Sequence, residues 1–138
     1  MSKRVLIVDD EPDLAELVDL MLRKAGVDVA CRRVVTGREA LEHCRRDLPN
    51  LVLLDVALPD IAGLEVLRAL KQDPTTSGIP VVIVTAMRGQ IVAEATEAGA
   101  VGTLLKPFKK AELLQAVTSA LANTGSSGSP GVDARDRD

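Results

Sequence analysis

The sequence predicts an open α/β domain, a five-stranded parallel sheet with helices on both faces. Strand-length apolar runs rich in β-branched residues alternate with five segments of helical spacing, and parallel neighbours need a helix-length connection between them. Three of the runs are continuously apolar rather than alternating, the pattern of strands covered on both faces. Five strands are too few to close an α/β barrel.

The first run is Val5-Leu6-Ile7-Val8. After it, Leu14, Leu17, Val18, Met21 and Ala25 line one face of a helix, and Gly26 stops it. A weaker second strand reads Val27-Asp28-Val29-Ala30-Cys31. Thr36 followed by Glu39 has the spacing of a capping box, in which each side chain satisfies an orphan amide of the first turn. The helix it opens buries Ala40, Leu41, Cys44 and Leu48. The third strand is Leu51-Val52-Leu53-Leu54, and Leu64, Val66, Leu67 and Leu70 give the third helix, ended by the breakers from Asp73 to Gly78. Val81-Val82-Ile83-Val84 is the fourth strand. A weak fourth helix over residues 90–98 lies between Gly89 and Gly99. The fifth strand is Gly102-Thr103-Leu104-Leu105, and the fifth helix carries Leu113, Leu114, Val117 and Leu121. The folded domain is expected over residues 1–122. Residues 123–138, rich in Gly, Ser, Asp and Arg, read as a disordered tail or linker.

With 138 residues, 46% of them hydrophobic, the chain suits a single domain. A net charge of −3 with both signs interspersed gives no basic face for nucleic acid or anionic membrane. Phe108 is the sole aromatic residue, so there is no stacking platform for bases. Cys31 and Cys44 lack the spacing of a redox pair or a zinc site and read as small core residues in a reducing compartment. The apolar run after Met1 is too short for a signal peptide or a membrane span, so the chain is expected to stay in the cytoplasm. His43, in the second helix, reads as a solvated residue away from the strand ends.

In an open α/β sheet the ligand site lies beyond the carboxyl ends of the strands. Here those ends are polar: Asp9-Asp10-Glu11, Asp55, Thr85-Ala86 and Lys106-Pro107. Crowded carboxylates repel one another unless a cation settles among them, and hard oxygen ligands without His or Cys favour Mg²⁺. Lys106 and Thr85 add an ammonium and a hydroxyl suited to an anion with several oxygens beside that metal. Asp55, ending a central strand, is placed to act as a nucleophile toward a phosphoryl group.

Asp9-Asp10-Glu11-Pro12, Asp55 followed by Leu58-Pro59 and Gly63, Thr85-Ala86, and Gly99-Ala100 leading to Lys106-Pro107-Phe108 resemble the motif set of the receiver (CheY-like) domains of bacterial response regulators. The resemblance covers residues 4 to 122. It implies a flavodoxin-like (βα)5 fold with strand order 2-1-3-4-5. It also implies that Asp55 accepts a phosphoryl group from a sensor histidine kinase or a histidine phosphotransfer protein. Mg²⁺ is implied on Asp10, Asp55 and the Ala57 backbone carbonyl, with Asp9 acting through water. Lys106, Thr85 and Ala86 are implied at the phosphoryl group, with a cis Lys106–Pro107 peptide. The output would be altered partner binding by the surface of the fourth helix, fifth strand and fifth helix, and the domain would not be an enzyme in its own right. Whether phosphorylation pairs two copies, and whether the chain acts alone or within a longer protein, the sequence leaves open.

Three positions depart from the family pattern. Thr103 stands where the family usually has a switch aromatic, and Ala57 and Met87 stand where relatives often carry polar groups that orient the hydrolytic water. Thr103 keeps a phosphorylation-independent interaction domain in view as an alternative. An aspartyl-phosphate phosphatase of the haloacid dehalogenase type is disfavoured, because it normally has an Asp-x-Asp pair and here Asp9 and Asp10 are adjacent.

Overall fold

The structure, a computed structural model, describes residues 2–126. Strands and helices alternate strictly: β1 (Lys3–Val8), α1 (Pro12–Lys24), β2 (Val29–Val34), α2 (Gly37–Asp47), β3 (Leu51–Asp55), α3 (Gly63–Gln72), β4 (Val81–Thr85), α4 (Gln90–Glu97), β5 (Gly102–Leu105) and α5 (Lys110–Ser126). The strands form one parallel sheet in the order β2-β1-β3-β4-β5. α5 runs past the expected boundary at residue 122, and the rest of the expected tail, residues 127–138, lies outside the described residues.

Strand periodicity divides the core in two. Val5, Ile7, Leu51, Leu53, Val82 and Val84 pack on one face against α1 and α5. Leu6, Val8, Val52, Leu54, Val81 and Ile83 pack on the other against α2, α3 and α4. Every residue of β3 and β4 is buried, which is why those runs are apolar without alternation. Each fully buried Leu or Ile contributes about 2 kcal/mol through removal of apolar surface from water.

The structure corrects the sequence reading at several points. β2 starts and ends later than expected. Gly26, with φ +81°, sends the Val27 amide back to the Leu22 carbonyl at 3.0 Å, so Val27 finishes the turn after α1 instead of starting the strand. The strand then runs through Arg32 and Arg33, charges that an edge strand tolerates and that discourage pairing with other chains. The buried stripe of α1 is Ala15, Val18 and Leu22, with Leu14 and Met21 partly covered. Leu17 is exposed, because a stripe centred on Ala15 turns it away.

Leu48 is exposed rather than buried. It is the left-handed cap of α2 at φ 48°, before Pro49, and its carbonyl accepts from the Arg4 guanidinium, which also caps the Asp47 carbonyl. His43 is buried rather than solvated, at 8% exposure. Next to Cys44 on the covered face of α2, it sets its Nδ1 3.3 Å from Asp47. Burial holds its pKa below the ordinary value despite that carboxylate. Burial also pushes both thiols up to about 12, with Asp19 adding to the effect at Cys31, so neither is a thiolate at neutral pH.

Candidate functional site

The polar strand ends converge as the topology requires. β1 and β3 are adjacent, so Asp9, Asp10 and Asp55 each offer a carboxylate oxygen, all within 4.8 Å of one another. Asp9 is 1% exposed and Asp55 7%, whereas Asp10 faces solvent. Lys106, just beyond β5, reaches across β4 into this group. Its Nζ lies 3.4 Å from Asp55 Oδ2, 3.5 Å from Asp9 Oδ2 and 3.8 Å from Glu11 Oε1. Its own backbone amide is anchored on the Thr85 carbonyl at 2.8 Å, and the Lys106–Pro107 bond is cis.

One ammonium thus faces several carboxylates. Burial pushes the Asp55 carboxyl above its usual range, and the Asp9 charge adds to this. The Ala57 amide, which donates to Asp55 Oδ1 at 3.1 Å, and Lys106 oppose it without reversing it. Lys106 shows the complementary response: burial pulls it down, but Asp55, Asp9 and Glu11 hold it above its ordinary value.

Because the native pocket penalises the Asp55 charge, the folded pKa lies above the unfolded one, and stability from this group falls as pH rises through that window. Removing the charge at neutral pH therefore stabilises the fold. Asp55→Asn without added metal is expected to melt above the wild type. A thermal melt of the variant below that of the wild type would contradict this.

The remaining carboxylate contacts bear on metal binding. Asp9 Oδ1 accepts the Glu11 amide at 2.7 Å, but its buried Oδ2 has no hydrogen-bond partner among the described residues, only the ion-pair contact with Lys106. A buried carboxylate oxygen left this way, beside Asp10 and Asp55 and without His or Cys in the cluster, fits a small hard cation.

Thr85 is buried, and its hydroxyl accepts the Met87 amide at 3.0 Å. Ala86 and Met87 are exposed at the rim of the site, as is Ala57. Thr103 lies away from the acids. It lines a groove of about 500 Å³ between β5 and α5, together with Leu105, Ala111, Gln115 and Ser119. All the residues singled out at strand ends therefore gather at one edge, and Thr103 sits on the neighbouring surface.

Sequence reasoning missed two contributors. Arg33 Nε donates to the Asp9 carbonyl at 3.1 Å, reaching the site from the end of the edge strand. Asp60 accepts from the Gly37 and Arg38 amides at 2.8 and 3.0 Å, which joins the β3–α3 loop to the start of α2. An Asp in a Pro/Gly-punctuated loop was the available signal, but its partners lie 23 and 22 residues away. The importance of Gly63 in that loop is also steric. A Cβ there would stand 2.3 Å from the Asp55 carbonyl oxygen and 2.7 Å from Val56 Cα.

Comparisons with known proteins agree with this geometry. The family model described as "Response regulator receiver domain" matches residues 5–118. The DNA-binding response regulator MtrA of Mycolicibacterium smegmatis is 41% identical over 122 residues, which are 88% of this chain and 51% of MtrA. The chain spans about half the length of the curated relatives it first matches. A CheY-like receiver domain protein from Methanospirillum hungatei has a TM-score of 0.81 at 26% identity, covering 93% of this chain and all of that one. The chemotaxis response regulator CheY4 of Vibrio cholerae has a TM-score of 0.79 at 26% identity, covering 88% of this chain and all of that one. With five parallel strands in the order 2-1-3-4-5, an acidic cluster at their carboxyl edge and a family match over most of its length, the chain belongs to the response regulator receiver domains of two-component signalling.

Proposed function

We propose that the domain takes a phosphoryl group onto Asp55 from a phosphohistidine of a sensor kinase or a histidine phosphotransfer protein, and changes its partner binding as a result. The observation that carries this reading is the buried Asp55 carboxylate, held by the Ala57 amide and facing Lys106 beside the unsatisfied Asp9 oxygen. An Asp55 oxygen attacks phosphorus, the P–N bond to the donor imidazole breaks with its electron pair left on nitrogen, and an acyl phosphate forms. Asp10, Asp55 and the Ala57 carbonyl would hold Mg²⁺, with Asp9 acting through water. When bound, Mg²⁺ neutralises the repulsion between the carboxylates and the phosphoryl oxygens.

Lys106 then exchanges its carboxylate partners for phosphoryl oxygens, a charge-assisted contact of the same kind. The Thr85 hydroxyl accepts the Met87 amide and can donate its own proton to a phosphoryl oxygen at the same time, so a shift of Thr85 toward that oxygen would carry the Met87 amide and the β4–α4 connection with it. We place the output surface on α4, β5 and α5, where the groove beside Thr103 supplies apolar area for a downstream protein partner. Without an aromatic side chain at Thr103, the signal has to pass through backbone and Thr85 movement rather than through a ring. The domain works in the cytoplasm, and among the described residues no helix is long and apolar enough to cross a membrane.

The test is incubation with acetyl phosphate and Mg²⁺, read by intact mass. The wild type should gain one phosphoryl group and Asp55→Asn none. An unmodified wild type that also fails to bind beryllofluoride would leave a phosphorylation-independent domain as the better reading.

Self-dephosphorylation should be slow, because neither Ala57 nor Met87 offers a side-chain group to orient water. Ala57→Asn combined with Met87→Glu is expected to speed loss of the phosphoryl group by on the order of 10- to 100-fold. An unchanged hydrolysis rate would count against these two positions.

A further inference from the structure

The loop from Val56 to Gly63 is fixed at both its base and its tip. At the base the Gly63 amide donates to the Val56 carbonyl at 2.8 Å, and the absence of a Cβ on Gly63 lets the start of α3 lie against the Asp55 carbonyl. Towards the tip, the Asp60 carboxylate spends both oxygens on α2, Oδ1 on the Gly37 amide and Oδ2 on the Arg38 amide, with Arg38 Nε a further 3.9 Å from Oδ2. α2 already has its own cap, since Thr36 Oγ1 accepts the Glu39 amide and Glu39 returns to the Thr36 amide. Asp60 thus takes amides that the capping box leaves over, and it comes from a distant loop to do so.

The apposition is built rather than incidental. A Cβ on Gly37 would stand 2.4 Å from Ile61 Cγ1, so the first turn of α2 sits directly on the loop residue after Asp60. Ala57 lies between the two anchors, two residues after Asp55 and three before Asp60. Asp60 makes no ion pair with Lys106 and is not a member of the carboxylate cluster, so its effect on the site has to travel through the loop backbone.

We propose that Asp60 is a positioning residue that holds the Ala57 carbonyl in place for the divalent cation by tying the loop to the amino end of α2. This rests on the Mg²⁺ reading given under Proposed function. Partners one step removed from a metal change its affinity by about 10- to 100-fold when lost, because the ligand they orient becomes free to wander.

The test is Mg²⁺ titration by calorimetry of the wild type, Asp60→Ala, Asp60→Asn and Thr36→Ala, with the Ala57 amide followed by NMR. Asp60→Ala should raise the Mg²⁺ Kd at least about tenfold and shift or broaden the Ala57 amide. Asp60→Asn, which keeps one acceptor for Gly37, should recover part of the affinity. Thr36→Ala loosens the same helix start without touching the loop and should stay within about twofold of the wild type. Wild-type affinity in Asp60→Ala, or equal losses in Asp60→Ala and Thr36→Ala, would overturn the proposal while leaving the metal reading intact. A wild type that binds no Mg²⁺ would overturn both.

Discussion

Lys106→Ala is expected to lose about 2–3 kcal/mol of stability without added metal, and to lower phosphoryl uptake from acetyl phosphate by on the order of 100-fold. The first effect follows from burial. Asp9 and Asp55 are almost wholly covered, and among the described residues Lys106 is the cation within 4 Å of both. Removing one partner of a buried pair usually costs about 3–5 kcal/mol, and the figure here is reduced because the Lys106 side chain is 24% exposed.

The pH dependence has a definite sign. The Lys106 pKa is raised in the fold, so its contribution is fully present below the unfolded lysine pKa and is lost as pH rises through the folded one. Urea titrations of wild type and variant should therefore differ across neutral pH and converge at strongly alkaline pH. Mg²⁺ should narrow the neutral gap, since a cation among the carboxylates replaces the missing ammonium. Equal stability of the two proteins at neutral pH would remove Lys106 from the pocket.

Gly63→Ala is the second large effect. The clashing atoms are the Asp55 carbonyl and Val56 Cα, both backbone, so no side chain can swing aside. Relief requires β3 and the first turn of α3 to separate, at about 2–3 kcal/mol, with Asp55 carried along. Phosphoryl uptake should fall together with stability. Gly78→Ala is the matched control: a Cβ there meets nothing within 4 Å, and the change should stay within about 0.5 kcal/mol. Urea unfolding of the two variants checks the pair, and a Gly63→Ala protein as stable as Gly78→Ala would show that the loop does not press on Asp55.

Most of this arrangement could be read from the residues, for physical reasons. β3 and β4 are covered on both faces, so Leu51-Val52-Leu53-Leu54 and Val81-Val82-Ile83-Val84 announce themselves as apolar runs. The capping box at Thr36 and Glu39 is local, and it forms as its spacing requires. Asp9, Asp10, Asp55, Thr85 and Lys106 were legible because a parallel sheet collects its strand ends on one edge. β2 was shifted because an edge strand needs little apolar surface, and Arg32 and Arg33 hide it from a hydrophobicity pattern. His43 was misjudged because a single polar residue on a helix gives no sign of which side of the apolar stripe it falls on. Asp60 and Arg33 escaped because they act through backbone groups far away in sequence, which no spacing rule reaches.

The most direct test of the central claim is to locate the modification. The protein is phosphorylated with acetyl phosphate and Mg²⁺, the acyl phosphate is reduced with borohydride, and the resulting homoserine is placed by peptide mass spectrometry. Homoserine should stand at position 55 and nowhere else, with none formed in Lys106→Ala treated for the same short time. Homoserine at Asp9, Asp10 or Glu11, or none at all in the wild type, would contradict the assignment of Asp55 as the phosphoryl acceptor.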